Sequence, residues 1–170
     1  RSSAVEFLES ADGGTVMIAI KNQDRPKIWL KDVIRSNAFQ EADSKLTIAA
    51  GVNVFAGYTT FDLEMYTNLI IVGVTGAGKT TFLNDIILSI LYKCSPEDVQ
   101  LIMVDPKVVE LKVYNKIPHL PFDVVTKPKA ASEMLKWSVK EMERRYRAFA
   151  DRGVRDIEGY NQYVEDVNAG

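Results

Sequence analysis

Gly73-Val74-Thr75-Gly76-Ala77-Gly78-Lys79-Thr80 sets glycines at 73 and 78 directly ahead of a lysine and a hydroxyl residue, a spacing suited to holding a chain of phosphates. Glycine lets the backbone curl so that several N–H groups face one anion, and a helix starting there adds its partial positive charge. Lys79 is the point charge for the β- and γ-phosphates, and the Thr80 hydroxyl is the candidate ligand for Mg²⁺. Gly73, Thr75, Gly76, Ala77, Gly78, Lys79, Thr80 and Thr81 form the candidate nucleotide-binding set.

This chemistry needs a strand before the loop and a helix after it. Asn68-Leu69-Ile70-Ile71-Val72 is apolar and β-branched after its first residue, as in a buried parallel strand. Phe82, Leu83, Ile86, Ile87, Ile90 and Leu91 then recur at three-to-four spacing, an amphipathic helix. The order strand, loop, helix is the one the motif requires.

Two further apolar runs, residues 99–104 and 122–125, read as strands, and strand–helix–strand order predicts a parallel α/β sheet with right-handed crossovers. Ser95-Pro96-Glu97-Asp98 reads as a capped helical turn. From Pro128 to Ala150 the chain predicts one long helix, with Ala131, Leu135, Ser138, Met142 and Phe149 on one face, and Glu141 with Arg145 and Glu143 with Arg147 as i,i+4 pairs. Gly153 ends it, and a last helix spans residues 156–167.

Upstream of the loop, residues 4–9 and 15–20 predict a hairpin turning at Asp12-Gly13-Gly14, residues 28–39 a short helix, and residues 46–50 and 58–63 a second β element. This half carries no catalytic constellation and reads as a packing element.

Composition narrows the function classes. The 170 residues are 46% hydrophobic and 26% charged, enough for a core, and the net charge of −2 creates no global field for nucleic acid. Any DNA contact must come from a local patch or from segments outside this chain. The longest apolar runs are about six residues, too short to span a bilayer, and no signal peptide is evident. One cysteine, Cys94, excludes an internal disulfide, and the single His119 makes a Cys/His zinc site implausible. The expected setting is cytosolic. The start at Arg1 rather than methionine suggests a fragment.

Asp105 ends the strand Leu101-Ile102-Met103-Val104, as the acid of a Walker B motif does. On that reading it holds Mg²⁺ through water. Pro106 and Lys107 follow it instead of a second acid, so the other reading is a strand-end aspartate that caps or pairs with Lys107. His119 and Cys94 read as structural. Arg144, Arg145 and Arg147 read as an ion-pair face with Glu141 and Glu143, with contact to DNA or to a neighbouring subunit's phosphates as the alternative. Trp29 and Trp137 fall in apolar patterns and are expected in the core.

The residues from Asn68 to Leu91, the string Cys94-Ser95-Pro96-Glu97-Asp98-Val99-Gln100-Leu101-Ile102-Met103-Val104-Asp105-Pro106-Lys107, and the segments Ile117-Pro118-His119-Leu120, Glu141-Met142-Glu143-Arg144-Arg145-Tyr146 and Ile157-Glu158-Gly159-Tyr160-Asn161 closely resemble the motor domain of the FtsK/SpoIIIE double-stranded DNA translocases. The resemblance implies a RecA-like P-loop ATPase, a parallel sheet with helices on both faces, whose hexameric rings pump duplex DNA with ATP and Mg²⁺. A small β-rich α/β subdomain (residues 1–64) would precede the first part of the ATPase domain (residues 65–170). By position Gly76, Gly78, Lys79 and Thr80 carry over as nucleotide-binding residues. Asp105 falls on a strand that precedes the family's Walker B strand, so the resemblance weakens its candidacy as the catalytic acid. The parent would be anchored in the membrane with this domain on the cytoplasmic side.

Departures from the pattern are Ala77 and Thr80-Thr81, where Ser and Ser-Val are usual, and Tyr66-Thr67-Asn68 in place of a Pro-His. The residues also stop short of the family's acidic Walker B strand and DNA loops, so a first half of a motor domain is expected. Two other readings stand beside the translocase. One is an ATP-binding assembly module without turnover of its own; the other is a small P-loop kinase or GTPase, against which the missing guanine-reading motif counts.

Overall fold

The computed structural model describes residues 5–9, 16–20 and 27–169, and packing divides the chain into two units, Arg1–Lys93 and Cys94–Gly170. In the first unit β1 (Val5–Glu9) pairs antiparallel with β2 (Val16–Ile20), Val5 opposite Ile20. The expected turn at Asp12-Gly13-Gly14 lies outside the described residues.

The helix expected over residues 28–39 is two short ones, α1 (Leu30–Ile34) and α2 (Asn37–Gln40). Ser36 between them is extended, and its hydroxyl donates to the Val33 carbonyl at 2.6 Å, the local bonding by which serine competes with a continuing helix. The two helices lay Val33, Ile34 and Phe39 against Ala49 of β3 (Thr47–Val52), which pairs antiparallel with β4 (Tyr58–Asp62). Trp29, expected in this core, is 57% exposed, because it precedes the first helical turn.

The helix α3 (Lys79–Lys93) completes the first unit. The Ala49 N–H points away from β4 and toward α3, as the alternation of an antiparallel ladder directs it. Ser89, fully buried, accepts that N–H at 3.0 Å and donates to the Asp85 carbonyl at 2.6 Å. At the end of α3 the Lys93 ammonium donates to the Phe39 and Ala42 carbonyls and to the Thr47 hydroxyl, over the face of the Phe39 ring. The helix carrying Lys79 is thus bonded at its far end to the small β subdomain. Packing therefore falls into units at Lys93, whereas motif order put a boundary at residues 64/65.

Ser89→Ala leaves a buried Ala49 N–H without its acceptor, and is expected to destabilise the protein by about 1–3 kcal/mol. Urea unfolding followed by circular dichroism checks this, and an unchanged midpoint would mean that another acceptor takes over.

The parallel sheet does not form among the described residues. Residues 68–72 are not a strand: Ile70 and Val72 are 82% and 86% exposed, and among the described residues no backbone partner lies beside them. A strand exists only through its neighbours, and apolar β-branched sequence alone does not make one. The runs at residues 99–104 and 122–125 meet in one parallel bridge, Val104 with Val125. Around it the N–H groups of Asp105 and Val125 donate to Val125 and Met103 at 2.8 and 2.9 Å.

The rest of the second unit is helical. The expected turn at Ser95 is present without a regular helix, with the Ser95 hydroxyl donating to Asp98 at 2.8 Å. α4 (Pro128–Ala150) has its predicted limits. At its end Gly153 takes φ 67° and the Val154 N–H reaches back to the Phe149 carbonyl at 3.1 Å, a Schellman-type stop. α5 (Ile157–Ala169) returns so that Tyr160 packs on Phe149, ring centres 5.5 Å apart.

The predicted apolar face of α4 is not a buried one. Leu135 and Met142 are 64% and 49% exposed, and Trp137, also expected in the core, is 43% exposed with only Phe122 stacked edge-on against it. Glu141 pairs with Arg144 at 2.7 Å and Arg145 at 2.9 Å, which holds its carboxyl down to about 2. Glu143 and Arg147 approach to 3.8 Å.

Candidate functional site

Residues 73–78 form an irregular loop that runs straight into α3 at Lys79. Gly76 and Gly78 have φ of 79° and 94°, and a Cβ on either would meet nothing within 4 Å. Backbone conformation, not space, is what calls for glycine there. At Gly73 space does matter, since a Cβ would lie 3.2 Å from that of Ala77.

The Ala77 N–H closes a turn onto the Val74 carbonyl at 3.2 Å, and the Phe82 N–H opens the helix ladder on Gly78 at 2.9 Å. The N–H groups of Gly76 and Gly78 have no hydrogen-bond partner among the described residues. Lys79 folds back over the loop, its ammonium donating to the Gly73 and Val74 carbonyls, both at 2.8 Å. Thr75, Thr80 and Thr81 flank the turn and the first helical residues. Two donors without partners, a cation and a helix N-terminus on one short loop fit an anion of several phosphates. A hydroxyl at position 80 is a suitable oxygen for a hard divalent cation.

Asp105 belongs to the second unit and has a different task. Its carboxylate accepts five backbone N–H groups, from Lys107 and Val108 on Oδ1 and from Val109, Glu110 and Leu111 on Oδ2, at 2.9–3.1 Å. The bonds from Glu110 and Leu111, with those from Lys107 and Val108, hold the carboxyl below its ordinary value. The side chain is 5% exposed, and its lone pairs are engaged in shaping residues 106–111, where Val108 is held at φ 61°. This geometry matches the capping reading of Asp105, through backbone donors and not through the Lys107 ammonium. Among the described residues no cluster of three or more His, Cys, Asp or Glu side chains could hold a metal ion.

His119 is buried with Nε2 2.9 Å from the Cys94 carbonyl, and Cys94 is itself buried, so both serve packing. Sequence reasoning missed Ser89 and Lys93, which dock the loop-bearing helix. The available signal was a serine on the apolar face of α3 and a lysine in its last turn.

Loop and helix together have the sequence and backbone geometry of the P-loop NTPase class. In overall fold the chain is similar to a solved structure described as the pCW3 conjugation coupling protein TcpA, monomer form with ATPγS. The TM-score is 0.64 at 23% identity, covering 94% of this chain and 42% of that one. A model of the FtsK/SpoIIIE family matches residues 29–170, and the chain belongs to that family. It is 48% identical over 144 residues to the DNA translocase FtsK of Clostridium acetobutylicum, 85% of this chain and 19% of that protein. To the DNA translocase SftA of Bacillus subtilis it is 44% identical over 156 residues, 92% of this chain and 16% of that one. The chain thus spans about a fifth of the length of these curated relatives.

Proposed function

We propose that this chain is the nucleotide-holding part of an ATP-driven motor that moves along double-stranded DNA. The observation that carries the reading is the glycine loop closed on the start of α3 with Lys79 at its rim, in a chain of the FtsK/SpoIIIE family. The relatives named DNA translocases and the neighbour described with ATPγS support it. On this reading residues 65–170 are the first part of a RecA-like ATPase domain with a parallel sheet and helices on both faces, residues 1–64 are a small subdomain before it, and the intact protein works as a hexameric ring. The domain lies on the cytoplasmic side of a parent anchored in the membrane.

The residues act as follows. The Gly76 and Gly78 N–H groups and the start of α3 receive the phosphates, and Gly73, Thr75, Ala77 and Thr81 shape the walls of the loop. Lys79 exchanges the Gly73 and Val74 carbonyls for β- and γ-phosphate oxygens, where its charge offsets the charge developing as water attacks γ-phosphorus in line. Thr80 is the residue that would offer its hydroxyl to Mg²⁺, which would supply charge neutralisation at the phosphates.

One observation favours a narrower second reading, an ATP-holding module without turnover of its own: both Asp105 oxygens are taken by backbone donors. Titration with a fluorescent ATP analogue with and without Mg²⁺, beside steady-state hydrolysis with and without duplex DNA, tests both readings. Binding without turnover supports the module, DNA-stimulated turnover supports a complete motor site, and absence of binding overturns both.

A further inference from the structure

The charge on α4 is not evenly spread. At about 100° per residue, the four α4 residues within an arc of about 40° are Lys129, Lys136, Lys140 and Arg147. All four are exposed, and Lys129, Lys136 and Lys140 have no hydrogen-bond or ion-pair partner among the described residues. Arg147 has Glu143 at 3.8 Å. Glu133 and Glu143 lie about 40° to either side of the centre of the arc, and Glu143 is the partner of Arg147. At 1.5 Å per residue the row runs about 27 Å along the helix.

The row continues into an open groove of about 660 Å³ between α4 and α5, where Arg144 and Arg152 add two more guanidinium groups. Each is held in place: Arg144 by its two bonds to Glu141 at 2.7 and 2.8 Å, and Arg152 over the Tyr160 and Tyr163 rings at 5.8 and 5.9 Å. A straight row of four cations, three of them without a partner among the described residues, on a chain of net charge −2 is a local feature and does not follow from the overall composition. Its occupant should be a long, regular polyanion. Duplex DNA presents about one charge per 1.7 Å of axis, so a 27 Å row meets phosphates along its whole length, whereas an acidic protein segment offers no such repeat.

We infer that the row Lys129, Lys136, Lys140 and Arg147 on α4 is a docking surface for the phosphate backbone of double-stranded DNA, independent of the nucleotide loop. The inference deepens the motor reading and rests on it for the choice of DNA as the polyanion. Contacts of this kind position the duplex and do not read its sequence.

The test is fluorescence anisotropy of a labelled 20-base-pair duplex titrated with the full chain between 50 and 200 mM salt. Four phosphate contacts predict a slope of log K against log salt of about −3.5. Lys136→Glu with Lys140→Glu, both at exposed positions, is expected to weaken binding at least about tenfold and flatten the slope by about 2, while Lys27→Glu in the first unit leaves both unchanged. No binding at 50 mM, equal loss with Lys27→Glu, or equal competition by polyglutamate of matched charge would each overturn the assignment. ATP-analogue binding is read on the same samples. Nucleotide bound without DNA sinks the α4 surface and leaves the motor reading standing, whereas DNA bound without nucleotide does the reverse.

Discussion

Replacing Lys79 with alanine should lower the affinity for Mg-ATP by about 100-fold or more while leaving the fold intact. Lys79 is half-buried, and among the described residues the only bonds of its ammonium are the two to carbonyls of its own loop, so little stability depends on it. With nucleotide present the same ammonium faces multiply charged oxygens, and charge-assisted bonds are roughly twice as strong as neutral ones. The net gain is smaller than the new contacts alone suggest, because two 2.8 Å bonds must first be given up. Lys79→Arg is not expected to restore binding: a planar guanidinium cannot occupy the site of a compact ammonium above a tight turn. Analogue titration with a parallel thermal melt separates the two effects. Affinity within threefold of wild type would mean that the loop does not hold the phosphates.

The second large effect is expected at Asp105. Asp105→Asn exchanges one acceptor oxygen for an NH₂ group, and in either amide orientation at least two backbone N–H groups then face a donor. Residues 106–111 lose the centre about which they fold, and the melting temperature should fall by more than about 5 °C. Nucleotide affinity should change by less than twofold. A melt unchanged from wild type, with altered Mg²⁺ dependence of nucleotide binding, would instead make Asp105 an acid of the reaction.

The same carboxylate gives a pH signature. Its pKa in the folded protein lies below the unfolded value, so its contribution is fully present above the ordinary aspartate range and is lost as pH falls through the depressed value. Glu141, held at about 2, acts in the same sense. Wild-type unfolding midpoints should therefore drop between about pH 5 and pH 2, and less steeply in Asp105→Asn.

Much of this could be read from local sequence. The glycine loop, α3, and the limits of α4 depend on residues close in the chain, and they fall where spacing and punctuation put them. The two-stranded β elements were legible for the same reason. What failed was anything that depends on a distant partner. Leu69, Ile70 and Val72 carry the composition of a central strand but have no strand beside them among the described residues. Trp137 and Leu135 have the spacing of a core face with little laid over it. At the site, Asp105 could not be assigned from type and position alone, because a strand-end aspartate before a turn serves a metal and a backbone nest equally well. The five N–H distances supply what sequence could not, a bonded backbone nest.

The bare stretch Leu69-Ile70-Ile71-Val72 also governs how this polypeptide behaves in a crowd. A ribbon of unpaired amides bearing large aliphatic side chains is an open edge that any extended peptide, including a second copy, can zip onto. A net charge of −2 offers little mutual repulsion to oppose that contact, and added salt screens even this. Covering the backbone of these four residues is therefore expected to protect the chain from precipitation more than a change of surface charge elsewhere, as light scattering against added salt would show.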